Sequence, residues 1–260
     1  MKSKHPINIL LTNDDGIHAE GILRLGETLS ELGNVYVCAP EGQRSASGHS
    51  ITVRGFIAME ETHLPHARLA MQFSGTPADC VKMGLQLLRE QGVEIHVVYS
   101  GINHGGNLGT DTLYSGTVSA ALEGVLCGLP AVAVSVDSHN PAHFEGACRL
   151  AAKFFDKALT GLPPGVALSI NVPNLPEEDI KGLRVARLGV RQYVERFEQS
   201  CDETGRTAYC YRGQPVVYDS KDLGNDVIAL QEDYATITPL HYDLTDLEML
   251  RKLKEWGIEE

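Results

Sequence analysis

The sequence predicts an α/β protein: a Rossmann-like, three-layer, mostly parallel sheet with helices on both faces, followed by a C-terminal β-hairpin arm. Short, nearly continuous apolar runs such as residues 7–11 (INILL), 34–39 (NVYVCA) and 131–136 (AVAVSV) have the pattern of strands buried on both faces. Segments with apolar residues at helical spacing separate them, as βα units require. Beyond Gly182 alternating stretches at 192–197 and 207–211, joined by Asp202-Glu203-Thr204-Gly205, predict a hairpin instead. The 260 residues, 43% hydrophobic, suffice for one α/β domain with a sizeable core. Within it we expect a core over 1–190, a protruding arm over about 191–233, and a closing strand and helix over 234–260.

The first strand ends in an abrupt change of polarity at Thr12-Asn13-Asp14-Asp15-Gly16. Ligands of open α/β sheets bind at the carboxyl ends of strands, and hard divalent cations take oxygen ligands. Adjacent carboxylates repel each other unless a cation neutralises them, so Asp14 and Asp15 read as a Mg²⁺ or Mn²⁺ site. Asn-Asp-Asp-Gly is equally a turn sequence, and both readings stand at this point. Residues 19–32 then carry Ile22, Leu25, Leu29 and Leu32 on one helical face, with Gly33 as C-cap. The strand at 34–39 runs into a polar loop, PEGQRSASGHS, on the same sheet edge as Asp14. There Ser45 offers a hydroxyl and Arg44 a charge. Strands are expected at 51–57 and 67–74, joined by a segment whose His63 and His66 lack zinc-site spacing. Thr76 and Pro77 form a helix start, and Val81, Leu85 and Leu88 supply its apolar face.

A strand at 94–100 leads into the glycine-rich stretch 101–116, GINHGGNLGTDTLYSG, in which Asn103, Asn107 and Asp111 provide oxygens. It matches neither the dinucleotide fingerprint nor the P-loop, and it is longer than most βα loops. From Thr117 the pattern is helical, with Val118, Ala121, Leu122, Val125 and Leu126 on one face. Ser115, Gly116 and Thr117 therefore sit at a helix N-terminus, which can either hold a phosphate or simply be capped. After the strand at 131–136, His139 and His143 flank Pro141, so a loop is expected there and not a metal-binding helix. A helix at 145–159 and a core strand at 167–172 follow. In the arm Tyr193, Val194, Phe197, Tyr209, Tyr211, Val216, Val217 and Tyr218 supply large side chains. A lone hairpin is marginal in water, so a second subunit is the expected cover, through a two-fold exchange of arms. A strand at 235–240 and a helix opened by Thr245-Asp246-Leu247-Glu248, of capping-box form, close the chain.

A formal net charge of -12 disfavours nucleic-acid polymers and acidic membranes as partners. An anionic ligand would need a local reversal of field, which a bound metal supplies. The six cysteines form no C-x-x-C pair, and reduced, mostly buried thiols are expected. No apolar run approaches the ~20 residues of a membrane span, and residues 1–6 are too short for a signal peptide. The expectation is a cytoplasmic protein.

Taken in order, TNDDGIHAEGI, APEGQRSASGHSIT, FSGTPADCV, SGINHGGNLGTDTLYSGTVSAALEG and ITPLHYDLT resemble the SurE family of survival-protein nucleotidases over nearly the whole chain. Glu41 stands where family members often have Asp. The resemblance implies a metal-dependent phosphatase acting on nucleoside 5′- and 3′-monophosphates, with short polyphosphate a further candidate substrate. It implies one Mg²⁺ or Mn²⁺ per subunit on Asp14, Asp15, Ser45 and Asn103, and phosphate contacts from Asn107, Ser115, Gly116 and Thr117. Asp14 and Asn107 would act catalytically, and the assembly would be a homodimer or homotetramer. The expected chemistry is attack by a metal-activated water; covalent catalysis by Asp14 is the less favoured route. Two other classes remain: a non-catalytic metal- and nucleotide-binding sensor, and a dinucleotide-dependent oxidoreductase, which the missing glycine fingerprint disfavours.

Overall fold

A computed structural model describes residues 6–194 and 196–258. The first half of the chain forms β1 (Asn8–Thr12), α1 (Glu20–Ser30), β2 (Asn34–Pro40), β3 (Met59–Thr62), β4 (Ala67–Phe73), α2 (Pro77–Glu90), β5 (Val97–His104) and α3 (Gly116–Leu126). There follow β6 (Ala131–Asp137), α4 (Glu145–Lys153), α5 (Phe155–Gly161), β7 (Val166–Pro173) and β8 (Leu183–Val185). The arm holds β9 (Tyr193–Val194), β10 (Phe197–Cys201), β11 (Thr207–Tyr211) and β12 (Gln214–Pro215); α6 (Asp226–Gln231), β13 (Ala235–His241) and α7 (Leu247–Glu255) end the chain.

Nine strands make one sheet in the order β3-β4-β2-β1-β5-β6-β7-β13-β8. The central strands are parallel, while β3 and β13 run antiparallel to β4 and β7. Alternation along β1 explains the three layers. Ile9 and Leu11 face one side with Leu25 and Leu29 of α1 and Leu150 of α4; Leu10 faces the other with Val81 of α2 and Val118 of α3. From β1 the chain moves outward to β2 and later returns on the opposite side as β5. The β1/β5 boundary is therefore the topological switch point, the place at which open α/β sheets bind ligands.

Several expectations are corrected. Residues 51–57 form no strand and are mostly exposed, since Gly55 takes a φ of 101° and Thr52 is bonded to Asp79; the edge strand is β3. β5 begins later than predicted and runs on through Asn103, which pairs with Ser135 of β6, so Asn103 is a strand-end residue. The helix expected over 145–159 breaks at Phe154 into α4 and α5. Asp246, not Thr245, caps α7 by accepting from the Glu248 and Met249 N–H groups. At α2, by contrast, the expected start at Thr76 and Pro77 holds, and Asp79 completes a reciprocal capping box with Thr76. The arm is shorter than 191–233, because α6 is buried against the core side of β13 and β7. Of the cysteines only Cys38 and Cys80 are buried; Cys127, Cys201 and Cys210 are exposed.

Candidate active site

Asp14 and Asp15 leave the end of β1, and Asn103 lies one residue before the end of its neighbour β5, so the switch point brings the three residues to one edge of the sheet. Each is fixed through one side-chain atom, and among the described residues no side chain is hydrogen-bonded to its other oxygen. Asp14 Oδ1 accepts from the Thr117 hydroxyl at 2.5 Å, which leaves Oδ2. Asp15 Oδ2 accepts from the His104 N–H at 2.9 Å, which leaves Oδ1. Asn103 Nδ2 donates to the Gly105 carbonyl at 2.7 Å, which leaves Oδ1. Ser45 lies on the exposed loop after β2, its hydroxyl oxygen accepting from Gln43 Nε2 at 2.9 Å. That loop is tied to the site because the Arg44 N–H donates to the Asp14 carbonyl at 2.7 Å.

Electrostatics set the character of the crevice. Asp14 is only 4% exposed. Burial pushes its pKa up to about 6, against the Thr117 hydrogen bond and with help from the charge of Asp15. Burial also raises Asp15, against the His104 N–H. Two carboxylates with raised pKa values side by side are a site that a cation would relieve. No group of three or more His, Cys, Asp or Glu side chains that could hold a metal occurs among the described residues. A hard cation here would therefore combine the two carboxylates with neutral oxygens such as those of Asn103 and Ser45, and that donor set fits Mg²⁺ or Mn²⁺.

The start of α3 is more specialised than the sequence suggests. Ser115 caps it, accepting from the Val118 N–H at 3.0 Å. Thr117 is fully buried and its hydroxyl is committed to Asp14, so its side chain holds a carboxylate and not a phosphate. Gly116 has no side chain for a structural reason. A Cβ there would lie 2.7 Å from Asp14 Oδ2 and 3.0 Å from Ser47 Oγ. The positive end of the α3 dipole thus rests on Asp14.

Asn107 is buried and fixed by residues that sequence reasoning did not single out. Its N–H donates to Asn171 Oδ1 at 2.8 Å, Asn171 Nδ2 donates back to the Asn107 carbonyl at 3.2 Å, and Asn107 Nδ2 donates to Ser135 Oγ at 2.8 Å. One amide proton and Oδ1 remain for a ligand. Asp111 turns away from Asp14 and Asp15 toward the arm, where it accepts from the Tyr193 hydroxyl at 2.5 Å and lies 3.5 Å from Arg191. Buried Asp226 accepts from the N–H groups of Gly109 and Gly189, which joins the glycine-rich loop to the arm root. These partners lie 28 or more positions apart in sequence, and no local motif announces them. His139 and His143 lie on the loop after β6, as expected, with the His143 N–H bonded to Asn174.

This geometry has known counterparts. Residues 9–195 match the family model described as Survival protein SurE. The 5′-nucleotidase SurE of Pelotomaculum thermopropionicum is 44% identical over 250 residues, covering 96% of this chain and 95% of that one. That of Heliobacterium modesticaldum is 42% identical over 253 residues, covering 96% and 92%. The crystal structure of the SurE protein from Aquifex aeolicus superposes with a TM-score of 0.81 at 37% identity, covering 96% of this chain and 99% of that chain. With the matched region reaching from β1 through the glycine-rich loop to the arm root, the chain belongs to the SurE family.

Proposed function

We propose that the protein is a metal-dependent nucleotidase that hydrolyses nucleoside 5′- and 3′-monophosphates to nucleoside and phosphate, with short polyphosphate a further candidate substrate. One Mg²⁺ or Mn²⁺ per subunit would be held by Asp14, Asp15, Asn103 and Ser45. The observation that carries this reading is the set of oxygens on Asp14, Asp15 and Asn103 at the β1/β5 switch point that no side chain among the described residues engages, each residue being fixed through its other polar atom. Relatives named as 5′-nucleotidases support the substrate class.

Asp14, Asp15, Asn103 and Ser45 would hold a cation whose chemistry there would be that of a Lewis acid toward a phosphoryl oxygen and an attacking water. The chain's own groups do the rest. Thr117 holds Asp14 in one rotamer, with its free oxygen toward Gly116. The remaining Asn107 amide proton would meet charge developing on the phosphoryl group, and the tethers to Ser135 and Asn171 hold the side chain for that role.

The test is phosphate release from a nucleoside 5′-monophosphate and a 3′-monophosphate with Mn²⁺ or Mg²⁺, against an EDTA control. Metal-dependent release supports the enzyme; binding without release supports the sensor. Asp14→Asn and Asp15→Asn should each lower turnover by several orders of magnitude with the fold intact. Near-normal turnover of both at saturating Mn²⁺ would put the metal elsewhere.

A further inference from the structure

Between β2 and β3 residues 41–58 contain no strand or helix, yet their first part crosses the site as a strap. At one end the Arg44 N–H donates to the Asp14 carbonyl at 2.7 Å; at the other the Gly48 N–H donates to the Tyr114 carbonyl at 3.0 Å. The strap therefore runs from the end of β1 to the residue before the Ser115 cap of α3. It carries Ser45 and Ser47, with Ala46 at a φ of 55°.

Next comes His49, whose Nε2 lies 2.9 Å from Glu123 Oε2. Glu123 sits in the body of α3, and its side chain is 4% exposed. Its second oxygen accepts from Lys82 Nζ of α2 at 2.8 Å. A buried carboxylate is costly unless paired. Burial pushes its pKa up, and the hydrogen bonds from His49 and Lys82 outweigh that and bring it below the usual carboxylate range. The ion cluster therefore joins strap, α2 and α3 at one point. Further along, the strap is tied to the start of α2, where the Thr76 hydroxyl donates to the Ser50 carbonyl and Thr52 donates to Asp79, and the segment ends where Ala58 and Ser74 exchange hydrogen bonds. Among the described residues 41–58, His49 is the side chain hydrogen-bonded to the body of α3, the helix whose start holds Asp14.

We propose that Glu123 is a positioning residue that clasps the strap through His49 and so sets where Ser45 presents its hydroxyl to the cation. The proposal rests on the metal reading above and assigns no direct contact between Glu123 or His49 and substrate or metal.

Calorimetric titration of Mn²⁺ into the full chain, without substrate, tests it across the wild type, His49→Ala, His49→Gln, Glu123→Gln and Asp15→Asn, with a melting midpoint for each. His49 is partly exposed, so its variants leave the core alone. His49→Ala is expected to weaken Mn²⁺ binding about fivefold or more at a nearly unchanged midpoint. His49→Gln, which can still donate to Glu123, should recover most of that loss, and Glu123→Gln should weaken binding like His49→Ala. Wild-type affinity in His49→Ala while Asp15→Asn loses the metal would overturn the clasp alone. A loss in His49→Ala that His49→Gln does not recover would also overturn it, because the imidazole itself would then be the working group. Wild-type affinity in Asp15→Asn would overturn the metal reading, and the clasp with it.

Discussion

At Gly116 the backbone passes so close to Asp14 that the site depends on a missing atom. Gly116→Ala would gain helix propensity, but its Cβ must displace the Asp14 carboxylate or Ser47, because the contact distances are 2.7 and 3.0 Å. We expect the variant to fold and to bind Mn²⁺ far more weakly; calorimetric affinity equal to wild type would show that Asp14 can move without cost. Thr117→Val keeps the buried volume and removes the hydroxyl donated to Asp14. A hydrogen bond to a charged group is worth roughly 1.5–3 kcal/mol. The loss should appear in Mn²⁺ affinity, not in the inhibition constant of inorganic phosphate measured at saturating metal, and the reverse pattern would return Thr117 to phosphate binding. This residue marks where reading the sequence stopped. A helix start at Ser115 is legible from local spacing, whereas the partner of the Thr117 hydroxyl lies 103 positions away and depends on the sheet order. Asp14 and Asp15 were legible because two carboxylates at the end of an apolar run are a local signal.

Among the elements, the core strands and helices follow from hydrophobic period, and the differences fall where tertiary contacts override it. Residues 51–57 have strand-like composition but pair with no strand among the described residues; they are held by the start of α2 instead. Asp79 is the anchor, accepting from the N–H and hydroxyl of Thr52 and from the Thr76 N–H. Burial raises its pKa, but these hydrogen bonds outweigh it and leave the carboxyl below its ordinary value. The sign of the linkage follows. A folded pKa below the unfolded one contributes stability above the unfolded value of about 3.9, and that stability is lost as pH falls through the folded pKa. Asp79→Asn should therefore melt lower at pH 7, by ~2–4 °C for a loss of about 1 kcal/mol in a chain of this size. The gap should narrow as pH falls below about 3.9, both measured in EDTA so that metal does not contribute. A gap of constant size across the acid range would mean that packing, and not the carboxylate's hydrogen bonds, is what the substitution removes.

For the molecule as a whole, the arm is the part whose shape one chain does not explain. β10 and β11 pair in the hairpin predicted from the Gly205 turn, yet Phe197 and Tyr209 remain 62% and 64% exposed. At its root the arm is firmly attached: Arg191 and Tyr193 hold Asp111, and Gly189 shares Asp226 with Gly109. A projection with a rigid base and uncovered aromatic faces is built to meet another surface, since an isolated two-stranded ribbon is marginal in water. α7 adds a second uncovered face, with Leu247, Leu250 and Trp256 exposed and no buried residue of its own. We therefore expect the full chain to sediment as a homodimer or homotetramer. Replacing residues 197–211 by a short Gly-Ser turn leaves Arg191, Tyr193 and the Asp226 contacts in place, so the shortened chain should keep its crevice while shifting toward monomer. If α7 dominated the assembly, the shortened chain would stay oligomeric; a full chain that is monomeric at micromolar concentration would leave the arm without the partner proposed for it. Because the arm root grips the same loop that carries Asn107, the shortened chain also reports on coupling. A monomer with wild-type Mn²⁺ affinity and turnover would show that the root alone orders the loop, whereas a monomer with impaired turnover would show that docking of the distal hairpin is needed as well.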